Sequence, residues 1–332
     1  MATLRDVAQR AGVSVATASR VVSGFDHVRS ETRERVERAM RELLYVPPGR
    51  RGATGVIGLL VPDLENPIFP ALAQAIEKHA TEAGFASILC STTAAAFREV
   101  DYVHMLLDRQ VEGMIFISCE MTNMSGEHDH YARLVEEGAR IVFVNGALNT
   151  LNVPSVGVDE RTAGELATQH LLDLGHERIG YVAGPDYYLP TRQKAAGRET
   201  ALRLAGLELD SLVAHGEFSV DGGRVALREL LDNGKPTGVI CSSDLMAIGV
   251  LQEAADQGIR VPEQLSVVGF DGIDATRWTN PALTTVEQPI EEIAETAVNG
   301  LRSLIADPAK RLPDSFFRPR LAVRSSTAPP AS

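Results

Sequence analysis

A chain of 332 residues that is 44% hydrophobic and 23% charged is too long for one ordinary domain and too apolar to be disordered or fibrous. It holds no apolar run of the ~20 residues a membrane helix needs and no signal-peptide core, so a cytoplasmic protein with no membrane partner is expected. The net charge of −12 speaks against a nucleic-acid binder only until it is divided along the chain. Residues 1–52 carry ten arginines, no lysine and six acids, a local +4, which leaves −16 on the remainder. A basic head on an acidic body is the asymmetry expected when only the head meets phosphate.

The head reads as three short helices. Thr3 is a good N-cap with Asp6 near the positive end of the first helix, and Leu4, Val7, Ala8 and Ala11 repeat at i, i+3, i+4, i+7. Gly12 stops that helix, and Ser14 caps a second whose inward face is Ala18, Val21 and Val22. At 100° per residue Ala16 and Arg20 fall on the opposite side, so the second helix is anchored on one face and offers a small residue and an arginine on the other. That is what a recognition helix requires, with arginine able to reach guanine O6/N7 or a phosphate. Ser30 is placed as the cap of a third helix, Glu31 to about Leu44, with Val36, Ala39, Met40 and Leu43 on one face. The domain ends near residue 46 at Tyr45-Val-Pro-Pro-Gly.

Residues 47–55 form a linker in which Gly49, Gly52 and Gly55 each disfavour helix by about 1 kcal/mol relative to alanine. An extended segment, with Arg50 and Arg51 on phosphates, is the expectation. From Val56 strands and helices alternate. Strands are predicted to begin at 56 and near 85–91, 113–118, 140–145, 178–183, 212–218, 238–242 and 265–270. The helices between them are placed at about 67–83, 97–110, 129–137, 160–174, 191–205, 220–233 and 244–257. This pattern means parallel sheets covered on both faces, and its length suggests two doubly wound lobes. The lobes are set at about 56–156 plus 288–315 and at about 157–287 plus 316–324, with 325–332 a flexible tail. A helix at about 289–306 and an apolar run at 316–323 are expected to cross back between them.

Ligands bind such sheets at the carboxyl ends of the strands. Here several strands end on Asp63, Ser118, Asn145, Ser242-Ser243-Asp244 and Asp271. Singly each reads as a helix cap or loop residue. Converging on two facing lobe edges, they suggest a cleft for a small polar ligand. Catalytic residues cannot be singled out: the eight histidines lack metal-ligand spacing and no phosphate loop follows a strand, so neither metal nor cofactor is expected. Cys90, Cys119 and Cys241, odd in number and set in apolar runs, read as buried reduced thiols.

With both halves read, the chain resembles the lactose-repressor/galactose-repressor family of bacterial transcription regulators. The likeness rests on T-L-R-D-V-A-Q-R-A-G-V-S-V-A-T-A-S-R-V-V (3–22), T-R-E-R-V-E-R-A-M-R-E-L-L-Y-V-P (32–47) and I-G-L-L-V-P-D-L-E-N-P-I-F (57–69). It continues in H-L-L-D-L-G-H-E-R-I-G-Y-V-A-G (170–184), S-D-L-M-A-I-G (243–249) and S-V-V-G-F-D (266–271). The resemblance implies a homodimer that reads an inverted-repeat operator in double-stranded DNA. It also implies a periplasmic-binding-protein-like body whose lobes close around a small effector, often a sugar or nucleoside. By motif, Val15, Ala16 and Arg20 match the base-reading positions, and the wider DNA set is Thr3, Ser14, Thr17, Ser19, His27, Arg50 and Arg51. The effector positions are Asp63, Phe69, Ser118, Asn145, Lys194, Phe218, Ser243 and Asp271.

Two departures stand out. Lys194 occupies a position where the family usually has arginine, so the planar fork is lost, and Arg192 is the nearby residue that could compensate. The linker is short and lacks the family's hinge-helix leucine. The rival reading, a periplasmic-type ligand-binding protein, would share the body but lack the head.

Overall fold

The computed structural model describes residues 3–22, 28–43, 55–92, 98–207 and 212–331. The chain separates into two compact units, Met1–Thr54 and Gly55–Ser332. Of the linker only Gly55 is described; the expectations for Arg50, Arg51 and His27 lie outside the described residues.

The head consists of α1 (Leu4–Ala11), α2 (Val15–Val22) and α3 (Ser30–Glu42). Thr3 and Asp6 form a reciprocal capping box: Asp6 N–H donates to Thr3 Oγ1 at 3.3 Å, and Thr3 N–H donates to Asp6 Oδ2 at 2.7 Å. Gly12, at φ +65°, ends α1, and the Arg35 guanidinium donates to the Ala11 and Gly12 carbonyls across the turn. Ser14 Oγ accepts from Thr17 N–H at 3.1 Å and starts α2. Val7, Ala8, Ala11, Ala18, Val21, Val36 and Ala39 make a small core edged by Leu4, Val13, Val28, Met40 and Leu43. The third helix differs from expectation at its start. Thr32 and Arg33 N–H both donate to the Arg29 carbonyl, so Ser30 is the first helical residue and not the cap.

One sheet of the body runs in the order β11-β5-β4-β3-β1-β2. Its strands are β1 (Val56–Val61), β2 (Ala86–Ser91), β3 (Gly113–Ile117), β4 (Ile141–Val144), β5 (Ser155–Val158) and β11 (Ser315–Phe317), all parallel. The other runs β12-β10-β9-β8-β6-β7. It comprises β6 (Ile179–Ala183), β7 (Val213–His215), β8 (Gly238–Cys241), β9 (Ser266–Asp271), β10 (Thr284–Glu287) and the antiparallel edge strand β12 (Arg320–Ala322). The first lobe carries α4 (Ile68–Glu82), α5 (Glu99–Asp108) and α6 (Asp129–Glu136). The second carries α7 (Glu160–Asp173), α8 (Leu189–Leu204), α9 (Val220–Asn233) and α10 (Asp244–Asp256). Helix α11 (Ile290–Ala306) returns to pack on α4 and the first sheet. The central strands are almost wholly buried, as sheets covered on both faces must be.

Three expectations need correction. The lobe boundary at 156 falls inside β5, a four-residue strand too short to register as a periodic pattern. The run at 316–323, assigned whole to the second lobe, divides between the two. Pro319 interrupts it, β11 joins the first sheet, and only β12 joins the second. The tail is not flexible along its length. Ser325 N–H donates to the Ala282 carbonyl (2.9 Å), Val267 N–H to the Ser326 carbonyl (2.8 Å) and Thr284 N–H to Ser326 Oγ (2.8 Å). Ser326 is 0% exposed, and its hydroxyl donates to the Val267 carbonyl at 2.6 Å. The buried His176 Nε2–H donates to the Ala328 carbonyl (2.9 Å), while Nδ1 faces Thr237 Oγ1 (2.9 Å). Small hydroxyl residues, unremarkable in a sequence, here stand in for a further strand.

Ser326→Ala leaves the Thr284 amide without its acceptor and is expected to cost about 1–3 kcal/mol in urea unfolding. Burial holds the His176 imidazole below its ordinary value of 6.5, so its contribution is complete above that pH and is lost as pH falls. The stability gap between wild type and His176→Ala should therefore be widest above pH 6.5 and shrink on acidification.

Candidate nucleic-acid interface and ligand cleft

Helix α2 buries Ala18 and Val21 and leaves Ala16, Ser19 and Arg20 exposed, with Val15 44% exposed beside them. The apolar stripe thus turns Val15, Ala16, Ser19 and Arg20 outward together. Thr3, Ser14 and Thr17 are committed to caps: the Ser14 and Thr17 hydroxyls share a hydrogen bond of 2.8 Å, and Thr3 Oγ1 donates to Asp6 Oδ2 at 2.7 Å. The head's arginines divide in the same way. Arg10 pairs with Glu42 at 2.7 Å and Arg35 braces the turn, whereas Arg20 has no hydrogen-bond or ionic partner among the described residues.

In the body, Asp63, Phe69, Ser118, Asn145, Lys194, Phe218, Ser243 and Asp271 all line one cleft between the carboxyl edges of the two sheets. Arg192 does not. It is exposed, and its Nε donates to the Asp186 carbonyl at 2.7 Å, so it cannot replace an arginine fork at position 194. Ser118, Asn145 and Asp271 have φ of 48°, 58° and 124°, and each sits at the carboxyl end of a strand. Left-handed backbone costs a non-glycine residue about 1–3 kcal/mol, and the flanking sheet hydrogen bonds hold it in place.

Sequence reasoning missed two residues that organise the cleft. Gln288, in the crossover from β10 to α11, accepts from Asn145 Nδ2 at 3.0 Å and donates to Asp271 Oδ1 at 2.8 Å, so one side chain joins the two lobes. Glu160, the first residue of α7, accepts from Lys194 Nζ at 2.8 Å; both are buried. The ammonium also lies 4.0 Å from the centre of the Phe270 ring. The pair is brought together by contact between α7 and α8: a Cβ on Gly164 would collide with the Lys194 carbonyl, and one on Gly197 with the Arg161 carbonyl.

Asp244, already marked by sequence as a strand-end residue, closes the turn after β9. Its Oδ2 accepts from the Gly272 and Ile273 amides (2.7 and 2.9 Å) and its Oδ1 from the Thr285 hydroxyl (2.6 Å). A run of polar residues after β8 marked this stretch, but the partners are 28 to 41 residues away. Burial pushes the Asp244 carboxyl up to about 7 in spite of these donors. Burial and then the Asp244 charge push Asp271 well above the usual carboxylate range, against the pull of Lys194 and Gln288. Glu160 is also raised by burial, opposed by Lys194. Ser243 serves as the cap of α10, accepting from Met246 N–H at 3.3 Å, and the Ser242 hydroxyl bonds Tyr181 OH at 2.6 Å.

At the mouth of the cleft the lobes touch through the backbone: Met124 N–H donates to the Tyr187 carbonyl at 2.8 Å, and Asn123 bridges Tyr188. Cys90, Cys119 and Cys241 are buried and unpaired, and burial raises all three thiols, Cys90 to about 11. Among the described residues no cluster of histidine, cysteine, aspartate or glutamate could hold a metal, and no helix is long and apolar enough to cross a membrane.

A helix-turn-helix head with an outward arginine, carried on a two-lobed body with a polar interlobe cleft, defines a ligand-responsive DNA-binding regulator. The comparisons agree. Residues 3–48 match the bacterial regulatory proteins of the lacI family, and residues 168–327 match the periplasmic binding protein-like domain. An HTH-type transcriptional regulator from the aml 5′ region of Streptomyces limosus is 42% identical over 98% of this chain and 94% of its own. The transcriptional regulator CelR in complex with cellobiose has 30% identity and a TM-score of 0.75 over 98% of this chain and all of that one. The lac repressor dimer bound to operator and the anti-inducer ONPF has 28% identity and a TM-score of 0.81, covering 98% of this chain and 99% of its own. The chain belongs to the LacI family of bacterial transcription regulators.

Asp244→Ala removes one acceptor from three buried donors and is expected to cost roughly 3 kcal/mol in urea unfolding. The folded Asp244 carboxyl, near 7, binds its proton more tightly than the unfolded one at 3.8, so its titration favours the fold at low pH. Relative to Asp244→Asn, wild-type stability should therefore decline as pH rises from 3.8 towards 7.

Proposed function

We propose that this protein is a cytoplasmic transcriptional repressor, acting as a homodimer on an inverted-repeat operator and controlled by a sugar-class effector held between its lobes. In this reading Arg20 reads bases or phosphates from the outward face of α2, with Val15, Ala16 and Ser19 beside it. Asp271 and Asn145, one from each lobe, take effector hydroxyls, and Gln288 holds the two in register. Phe69, Tyr188 and Phe218 supply apolar faces.

The observation that carries the proposal is the Asn145–Gln288–Asp271 line, which joins strand ends of both sheets within one cleft. A ligand bonded to both ends interacts with the lobes' relative orientation, and a ligand can shift an equilibrium only through such differential contacts. By linkage, an effector that weakens operator binding must itself bind more weakly to the operator complex. The cellobiose held by CelR supports the sugar class. Binding without catalysis fits Glu160, whose carboxylate is spent on Lys194.

Two variants test this separately. Arg20→Ala should weaken binding to a selected operator by about 1–3 kcal/mol while leaving the body's melting temperature unchanged. Asp271→Ala should lose the melting-temperature rise produced by neutral sugars and keep operator affinity. An Arg20→Ala protein with wild-type affinity and salt dependence removes the first role, and an Asp271→Ala protein still stabilised by the same sugar removes the second.

A further inference from the structure

The cleft has an unbalanced set of charges. Among the described residues that line it, Asp63, Glu160 and Asp271 are acidic and Lys194 alone is basic. That one cation is not available to a ligand. Lys194 is 6% exposed, its ammonium is 2.8 Å from Glu160 Oε2, and the Phe270 ring covers it at 4.0 Å. Asp63 accepts from the Glu65 and Asn66 amides through Oδ1, and Asp271 accepts from Gln288 through Oδ1, so each retains an oxygen that no protein donor engages among the described residues. What remains for a ligand is acceptor oxygens, amide and hydroxyl groups, and aromatic faces. A phosphate or carboxylate placed there would find no free cation, in a site where low dielectric makes an unpaired charge costly.

We propose that Glu160 is the residue that sets the charge class of the effector: by neutralising Lys194 it reserves the cleft for uncharged, hydroxyl-rich ligands and excludes phosphorylated and other anionic sugars. This rests on the reading of the cleft as the effector site. Phe69, Tyr188 and Phe218 line the cleft and give flat surfaces for a neutral sugar ring. The role belongs to Glu160 and not to Lys194 alone. The close glycine contacts between α7 and α8 fix the Lys194 backbone, so removing the Glu160 charge leaves the ammonium in place without its hydrogen-bonded carboxylate. Sequence position 194 therefore does not decide ligand charge without position 160.

The test uses the full-length protein and pairs of probes that differ by one phosphate: ribose and ribose 5-phosphate, glucose and glucose 6-phosphate. Calorimetry and melting temperature are read for wild type, Glu160→Gln and Glu160→Gln/Lys194→Met. Wild type should bind each phosphorylated probe at least tenfold more weakly than its parent. Glu160→Gln should gain at least tenfold in affinity for a phosphorylated probe, and the double variant should lose that gain. A Glu160→Gln protein that folds and gains no affinity for either phosphorylated probe overturns the inference, whatever the neutral probes do. If Glu160→Gln does not fold, the wild-type pairs decide, and a phosphorylated probe bound no more weakly than its parent overturns it. Wild type that binds no sugar, beside a Glu160→Gln that captures the phosphorylated probe, retains the charge role of Glu160 and removes the sugar-effector reading instead.

Discussion

The second lobe's half of the cleft depends on one buried carboxylate. Asp244 begins α10, where the helix dipole favours negative charge, and it gathers the Gly272 and Ile273 amides from the turn after β9 and the Thr285 hydroxyl from β10. Burying a charge is costly, and the three donors offset only part of that cost, which is why the carboxyl stays raised to about 7. The consequence reaches Asp271, which precedes those two amides and is carried at φ 124° by the turn that Asp244 closes. Gly269 completes the arrangement, since a Cβ there would strike the Asp244 carboxylate.

The same economy of charge distinguishes the two units. In the head, Arg35 is spent on backbone carbonyls and Arg10 on Glu42, and Arg20 is left to face outward. In the body the one basic residue among the described residues of the cleft is spent on Glu160, and acceptor oxygens are left. The division between a basic head and an acidic body is thus repeated side chain by side chain: the surface suited to phosphate keeps a free cation, and the cleft suited to hydroxyl groups does not.

The crossovers explain how a site can belong to both lobes. The chain passes between the sheets after β5, after β10 and between β11 and β12, and the second of these passages carries Gln288. A residue in a crossover is within reach of both strand edges, so its amide can donate to one lobe and accept from the other. That is why an uncharged side chain, with one donor and one acceptor group, suits the position better than a carboxylate would.

Much of this was legible in the chain itself. The three-helix head, its caps at Thr3 and Ser14 and the outward placement of Ala16 and Arg20 follow from local periodicity and capping chemistry, which act within a few residues. The alternation of strands and helices, and the strand-end residues Asp63, Ser118, Asn145, Ser243 and Asp271, could be read for the same reason. Arg192 was misread because proximity in sequence to Lys194 said nothing about which way each side chain turns; one points to the Asp186 carbonyl and the other to Glu160. The anchored tail, the split of 316–323 and the bonds of Gln288 and Asp244 depend on partners tens to more than a hundred residues away. Sequence patterns record which residues must be buried or capped locally. Which buried polar group answers which is decided only when the sheets bring distant donors and acceptors within 3 Å, and at Glu160 and Lys194 that pairing sets the charge left in the cleft.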